Sequence, residues 1–232
     1  MNVLYRKNPK GFTLIELLVV IAIITTLLAI LYPAISRARL QAKILVVNQE
    51  LSQIGLALEV YEVSNNSWPP VRWDCQKKGH FYALPHELVK GGYIPMGGTR
   101  GSKKNPILFS NIEDKFYPGY TYKYMAPGPQ YDYSGSSYPD GFPLYMSANF
   151  PEKTDSVLVK YSDRKKSPVK WVIFSLGPGY NISDADGGNF PLDKGFPVLQ
   201  SFWYSQKAKS GILTRIKMRN KGDHVGTFRK GY

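Results

Sequence analysis

Gly11, Phe12 and Glu16 have the residue types and spacing best suited to chemistry in this chain of 232 residues. Phe12 opens a run of 21 residues, ending at Tyr32, in which only Thr13, Glu16, Thr25 and Thr26 are polar. A carboxylate inside such an apolar run is costly and marks a functional position by default. Glu16 follows Phe12 by four residues, one helical turn. A cut after Gly11 would give Phe12 a free α-amino group. That charge would neutralise the carboxylate of a neighbouring copy, the kind of partner a buried charge requires.

A second cluster lies at Ser183-Asp184-Ala185-Asp186-Gly187-Gly188-Asn189. Alternating carboxylates before glycine suit a hard cation such as calcium, which takes six to eight oxygen ligands. Asp184 and Asp186 are the first-choice ligands, with Asn189 and Asp193 next. The closing glutamate of the standard calcium loop is missing, so an ordinary Asp-Gly turn stays open beside the calcium reading. Cys75 is alone and forms no internal disulfide. His80, His86 and His224 show no metal-ligand spacing with it. No phosphate loop, nucleophile elbow or dinucleotide fingerprint is present, so an enzyme is not expected.

The elements that must position these groups are legible in the pattern. Residues 1–11 are polar and basic, with Arg6, Lys7 and Lys10 and no acid, and read as a leader. Residues 12–33 read as a helix long enough to cross about 30 Å of hydrocarbon. Basic residues ahead of it favour a cytoplasmic N-terminus and an extracytoplasmic body. Pro33 removes a backbone hydrogen bond and is expected to kink the helix. Residues 34–66 continue as an amphipathic helix, with Ile35, Ala38, Ala42 and Leu45, then Leu51, Ile54, Leu58 and Tyr61, at steps of three and four. Its first half is basic (Arg37, Arg39, Lys43) and its second more acidic. Offset neighbours pairing these halves is one expectation, plain solvation the other. Asn65-Asn66 and Pro69-Pro70 end the helix.

Residues 67–150 read as a loop-rich variable region, with short helical character near Phe81–Lys90. Its eight tyrosines between Tyr117 and Tyr145 are expected on a long surface excursion, either exposed for adhesion or subunit contacts or packed as a loop over the body. Residues 151–232 read as an antiparallel sheet region. Strands are expected at Val157–Ser162, Val169–Leu176, Val198–Tyr204, Ile212–Arg219 and Asp223–Arg229, runs rich in β-branched and aromatic residues bounded by turns. The fold class is α+β: a long helix on a small antiparallel sheet with long loops.

Lys10-Gly11 followed by Phe12-Thr13-Leu14-Ile15-Glu16-Leu17 and the apolar run resembles the type IV pilin and type II secretion pseudopilin family. The resemblance implies cleavage between Gly11 and Phe12 by a prepilin peptidase, N-methylation of Phe12, and a role for Glu16 in contacts between subunits. Pro33 fits the same pattern. Two shorter matches, Lys170-Trp171-Val172-Ile173-Phe174-Ser175-Leu176-Gly177-Pro178 and Asn220-Lys221-Gly222-Asp223, resemble major pseudopilins. In those proteins a calcium site follows the first segment, where Asp184 and Asp186 stand here. The partners implied are further pilin-like subunits, the peptidase, an inner-membrane assembly platform and membrane lipid. A pilin for adhesion, motility or DNA uptake is the alternative.

The formal charge is +13, and losing the three basic leader residues leaves 27 basic against 17 acidic. No block of five like charges appears, which favours a solvated basic surface over a nucleic-acid site.

Overall fold

A computed structural model describes residues 11–72, 83–101, 106–132, 136–151, 157–180, 190–220 and 224–229. The leader residues 1–10, Cys75, His80, Asp184, Asp186, Asn189 and Asp223 lie outside them. The chain divides into two compact units, Met1–Ala42 and Lys43–Tyr232.

In the first unit, Gly11–Thr13 is coil and helix α1 (Leu14–Asn65) begins directly after it. The helix is unbroken across Pro33. Its side chains from Leu14 to Arg39 are all exposed. A helix whose apolar residues cover its whole circumference and meet no protein has the character of a membrane span. It is apolar and long enough to be one.

In the second unit, the rest of α1 becomes one-sided. Ile44, Val47, Leu51, Ile54 and Leu58 are buried at steps of three and four, the period that keeps side chains on one face. The helix is followed by β1 (Val71–Arg72), α2 (His86–Lys90), β2 (Met96–Gly101), β3 (Pro106–Ser110), β4 (Lys123–Met125), β5 (Gly128–Tyr131), β6 (Ser137–Phe142), β7 (Leu144–Ser147), β8 (Leu158–Tyr161), β9 (Val169–Ser175), β10 (Leu213–Met218) and β11 (His224–Val225). The main sheet runs β11-β10-β9-β4 and is antiparallel throughout. Smaller sheets are β2-β3, β7-β8 and β1-β5-β6, the last including one parallel pair.

Strand β9 sits at the centre, and Trp171, Val172, Ile173 and Phe174 are fully buried. That strand is covered on both faces, which is why it reads as a continuous apolar run rather than an alternation. One face meets α1 at Gly55, where an added Cβ would lie 3.3 Å from the Trp171 ring and 2.8 Å from Nε of Arg215. The other face meets an aromatic cluster. Phe174 packs edge-on against Phe190 and Phe196, which stack on each other at 5.0 Å.

Three expectations are corrected. Val198–Tyr204 forms no named strand: Gln200–Phe202 is a single 3-10 turn, with isolated bridges at Trp203 and Tyr204. Val198, Leu199, Trp203 and Tyr204 are nevertheless buried, and Phe202 packs edge-on against Phe196 of the aromatic cluster. The tyrosine-rich segment is not wholly a surface excursion. Tyr122 and Tyr124 are buried at 0% and 1% exposure, and β4 pairs with β9 at the heart of the sheet. Within the expected helical stretch Phe81–Lys90, only His86–Lys90 is helical among the described residues.

Candidate assembly site

The N-terminus of α1 is built by Thr13 and Glu16. The Thr13 backbone N–H and hydroxyl both donate to Oε2 of Glu16, at 2.8 and 2.7 Å. The Glu16 N–H returns a longer bond of 3.3 Å to Oγ1 of Thr13. This is a reciprocal cap, in which residues at Ncap and N3 satisfy each other's otherwise orphaned N–H groups. The helix N-terminus also favours a carboxylate there through its dipole. The Thr-x-x-Glu signature lies at the start of the apolar run, so Glu16 has a partner on its own chain that the expectation of a neighbouring copy did not include.

Phe12 precedes the cap and is 75% exposed. The Gly11–Phe12 bond is in coil, outside the helical hydrogen bonding. The other polar groups of the span are satisfied internally. Thr25 and Thr26 both donate to the carbonyl of Ala22, at 3.0 and 2.8 Å. Such back-bonding is how hydroxyls are tolerated in a membrane helix.

In the body, the second half of α1 is tied to its own sheet and loops. Glu50 pairs with Lys115 at 2.8 Å and accepts from the Tyr122 hydroxyl at 2.5 Å. Burial beside this carboxylate raises the Tyr122 hydroxyl far above its usual pKa. Glu59 pairs with Lys217 at 3.1 Å, and Glu62 with Lys170 at 2.6 Å. Glu50, Glu59 and Glu62 are thus engaged within the subunit, an arrangement that neither expectation, pairing with an offset neighbour or plain solvation, had included. Beyond the helix end, Trp68 lies under two guanidinium groups, Arg164 at 5.0 Å and Arg219 at 5.5 Å from its centroid.

His224 on β11 faces the same region. Its Nδ1 lies 2.9 Å from Nη2 of Arg215, which can only donate, so Nδ1 accepts; Nε2 lies 2.9 Å from Oε1 of Glu59. Burial, then Arg215 and Lys217, lower its pKa, against the opposing pull of Glu59. The fold therefore favours the neutral form of His224 more than the unfolded chain does, whose imidazole protonates near the ordinary value of about 6.5. Below that value the unfolded state binds the extra proton. This contribution to stability is complete above the unfolded pKa and lost as pH falls through the lowered folded one. The urea midpoint should drop more from pH 7.5 to pH 5 in the parent than in His224→Gln; equal drops would show that the residue does not titrate as described.

Asp193 is exposed on the 3-10 turn Leu192–Lys194. Asp184, Asp186 and Asn189 lie outside the described residues. No group of three or more His, Cys, Asp or Glu side chains able to hold a metal occurs among the described residues.

On the helix side turned from the body, Leu45, Leu56, Val60 and Val63 are exposed, Val63 at 82%. At 100° per residue they share one stripe.

The family model described as the prokaryotic N-terminal methylation motif matches residues 6–32. The chain is 31% identical over 126 residues to type II secretion system core protein G of Pseudomonas aeruginosa, covering 53% of this chain and 78% of that protein. It is 48% identical over 62 residues to the type IV wide pilus major component PilA4 of Thermus thermophilus, covering 27% of this chain and 47% of that protein. No solved structure matches. With its methylation motif, exposed apolar helix and α+β body, the chain belongs to the pilin and pseudopilin family.

Proposed function

We propose that this chain is a membrane-anchored pseudopilin, a structural subunit of a type II secretion filament. It is cut after Gly11 on the cytoplasmic face and methylated at Phe12. Other pilin-like subunits then pack against it once an assembly platform draws it from the membrane. The observation that supports this best is the unpartnered apolar surface of α1. It covers the whole helix from Leu14 to Tyr32 and continues as the stripe Leu45, Leu56, Val60 and Val63. Exposed apolar surface of this extent marks lipid or another protein, and a subunit that moves from bilayer to filament meets both. The similarity to core protein G extends over most of that protein, whereas the similarity to PilA4 covers less than half of it. That difference favours secretion over a surface pilus.

Two measurements test the reading. Mass and N-terminal sequence of the protein from its own membrane should show a chain that starts at methylated Phe12. Deleting it should stop exoprotein release and leave surface pili intact; the reverse outcome would make it a pilin. The stripe gives a sharper test. Leu56→Lys with Val63→Lys should leave the body's thermal midpoint nearly unchanged, since both positions are exposed. Filament yield should fall at least about tenfold, because two side chains that bury apolar area in the filament become charged. Normal filaments from this variant would remove the stripe from the assembly surface.

A further inference from the structure

We propose that Arg37 and Arg39 each bind an anionic phospholipid headgroup, on opposite sides of α1, at the point where the helix leaves the membrane. The inference rests on the membrane-spanning reading of Phe12–Tyr32 and goes beyond it, assigning a partner to two cations that the anchor itself does not use.

Depth is the first support. Tyr32 closes the apolar run and is 78% exposed, as suits an aromatic ring in the interfacial belt. At 1.5 Å rise per residue, Arg37 and Arg39 lie about 7 and 10 Å further along the helix. The headgroup layer is about 5–7 Å thick on each side, and a long guanidinium side chain reaches back toward it along the helix. The two residues are 200° apart around the axis at 100° per residue, so they address lipid on opposite sides.

Partner availability is the second. From Leu17 to Gln49 the chain has no acidic residue. The next acids along the helix, Glu50, Glu59 and Glu62, are already paired with Lys115, Lys217 and Lys170. Both arginines are exposed, and neither makes an ion pair among the described residues. Lys43, the next cation, lies over the Phe116 ring at 5.8 Å and is not part of the site. Chemistry is the third. A planar guanidinium matches the phosphate of a headgroup with two parallel hydrogen bonds, and cations near an anionic surface are attracted within about a Debye length of 8–10 Å.

The test uses the full chain starting at Phe12 in nanodiscs of equal parts phosphatidylglycerol and phosphatidylethanolamine. Native mass spectrometry reads which lipid stays bound on release. Phosphatidylglycerol should be retained in excess, with about a fivefold gain from each arginine. Arg37→Gln with Arg39→Gln should bring the two lipids to parity, Arg37→Lys with Arg39→Lys should keep part of the preference, and Lys165→Gln with Lys166→Gln should change nothing. Equal retention by the parent, or a preference that survives the double glutamine variant, overturns the proposal. So does a double variant that loses filaments when the parent shows no lipid preference; the partner would then be an acidic surface of a neighbouring subunit. A chain that does not enter the nanodisc at all overturns the span reading, and the lipid site with it.

Discussion

Glu16→Ala is expected to yield a chain that is cut after Gly11 and held in the membrane but enters no filament. The carboxylate is the sole charge in the span. In the filament it would meet the amino group freed on Phe12 of the next subunit, in surroundings where removing one member of an ion pair leaves the other uncompensated. Filament yield should drop on the order of a hundredfold or more. The reciprocal cap adds a second comparison. Thr13→Val keeps the carboxylate but removes a hydroxyl that donates to it. Loss of an N-cap side chain costs about 1 kcal/mol, so a decline of about fivefold is expected. Electron microscopy of filaments, with the mass of the processed chain as control, separates the two. Abundant filaments from the alanine variant would mean that Glu16 serves only its own helix.

Trp171→Ala should produce the largest loss of body stability. Trp171 is fully buried on the central strand, packs toward Gly55 of α1, and lies 5.7 Å from the His224 ring. Truncating a buried tryptophan costs about 3–5 kcal/mol in lost transfer energy and residual cavity. For a body of this size the thermal midpoint should fall by about 10 °C or more. Trp171→Phe, which refills most of the volume, should recover over half of that. Near-ultraviolet circular dichroism of the processed chain reads both. A drop under about 3 °C for the alanine variant would mean that the helix and sheet are held mainly by their ion pairs.

Helix α1 was legible from composition and period, because an apolar run and a stripe at steps of three and four are local signals. Strands β8, β9 and β10 were legible for the same reason. Tyr122 and Tyr124 were not. A tyrosine can lie buried or exposed, and what decides is a hydroxyl partner distant in sequence: Glu50 for Tyr122, the Pro69 carbonyl for Tyr124. Val198–Tyr204 has strand composition and is largely buried, but its contacts, Phe202 on Phe196 and Tyr204 on Phe228, are tertiary and no local pattern announces them. At the candidate assembly site, Glu16 stands out by its type and its spacing from Phe12, while the Gly11–Phe12 junction takes its meaning from the family resemblance. The cap between Thr13 and Glu16 is equally local, a Thr-x-x-Glu spacing that the apolar surroundings of the carboxylate mask. The setting of His224 depends on α1, β9 and β10 converging, so it belongs to tertiary structure.

The three ion pairs on α1 also have a mechanical meaning. Glu50, Glu59 and Glu62 are spread over about 18 Å of helix, and each is fastened to the sheet or to a loop bound to it. A load carried along the helix reaches the body in shear, across all three fastenings and the apolar seam between them at once. Peeling would open them one at a time and needs far less force. Tension along this stretch of helix would therefore load the three fastenings together rather than in turn.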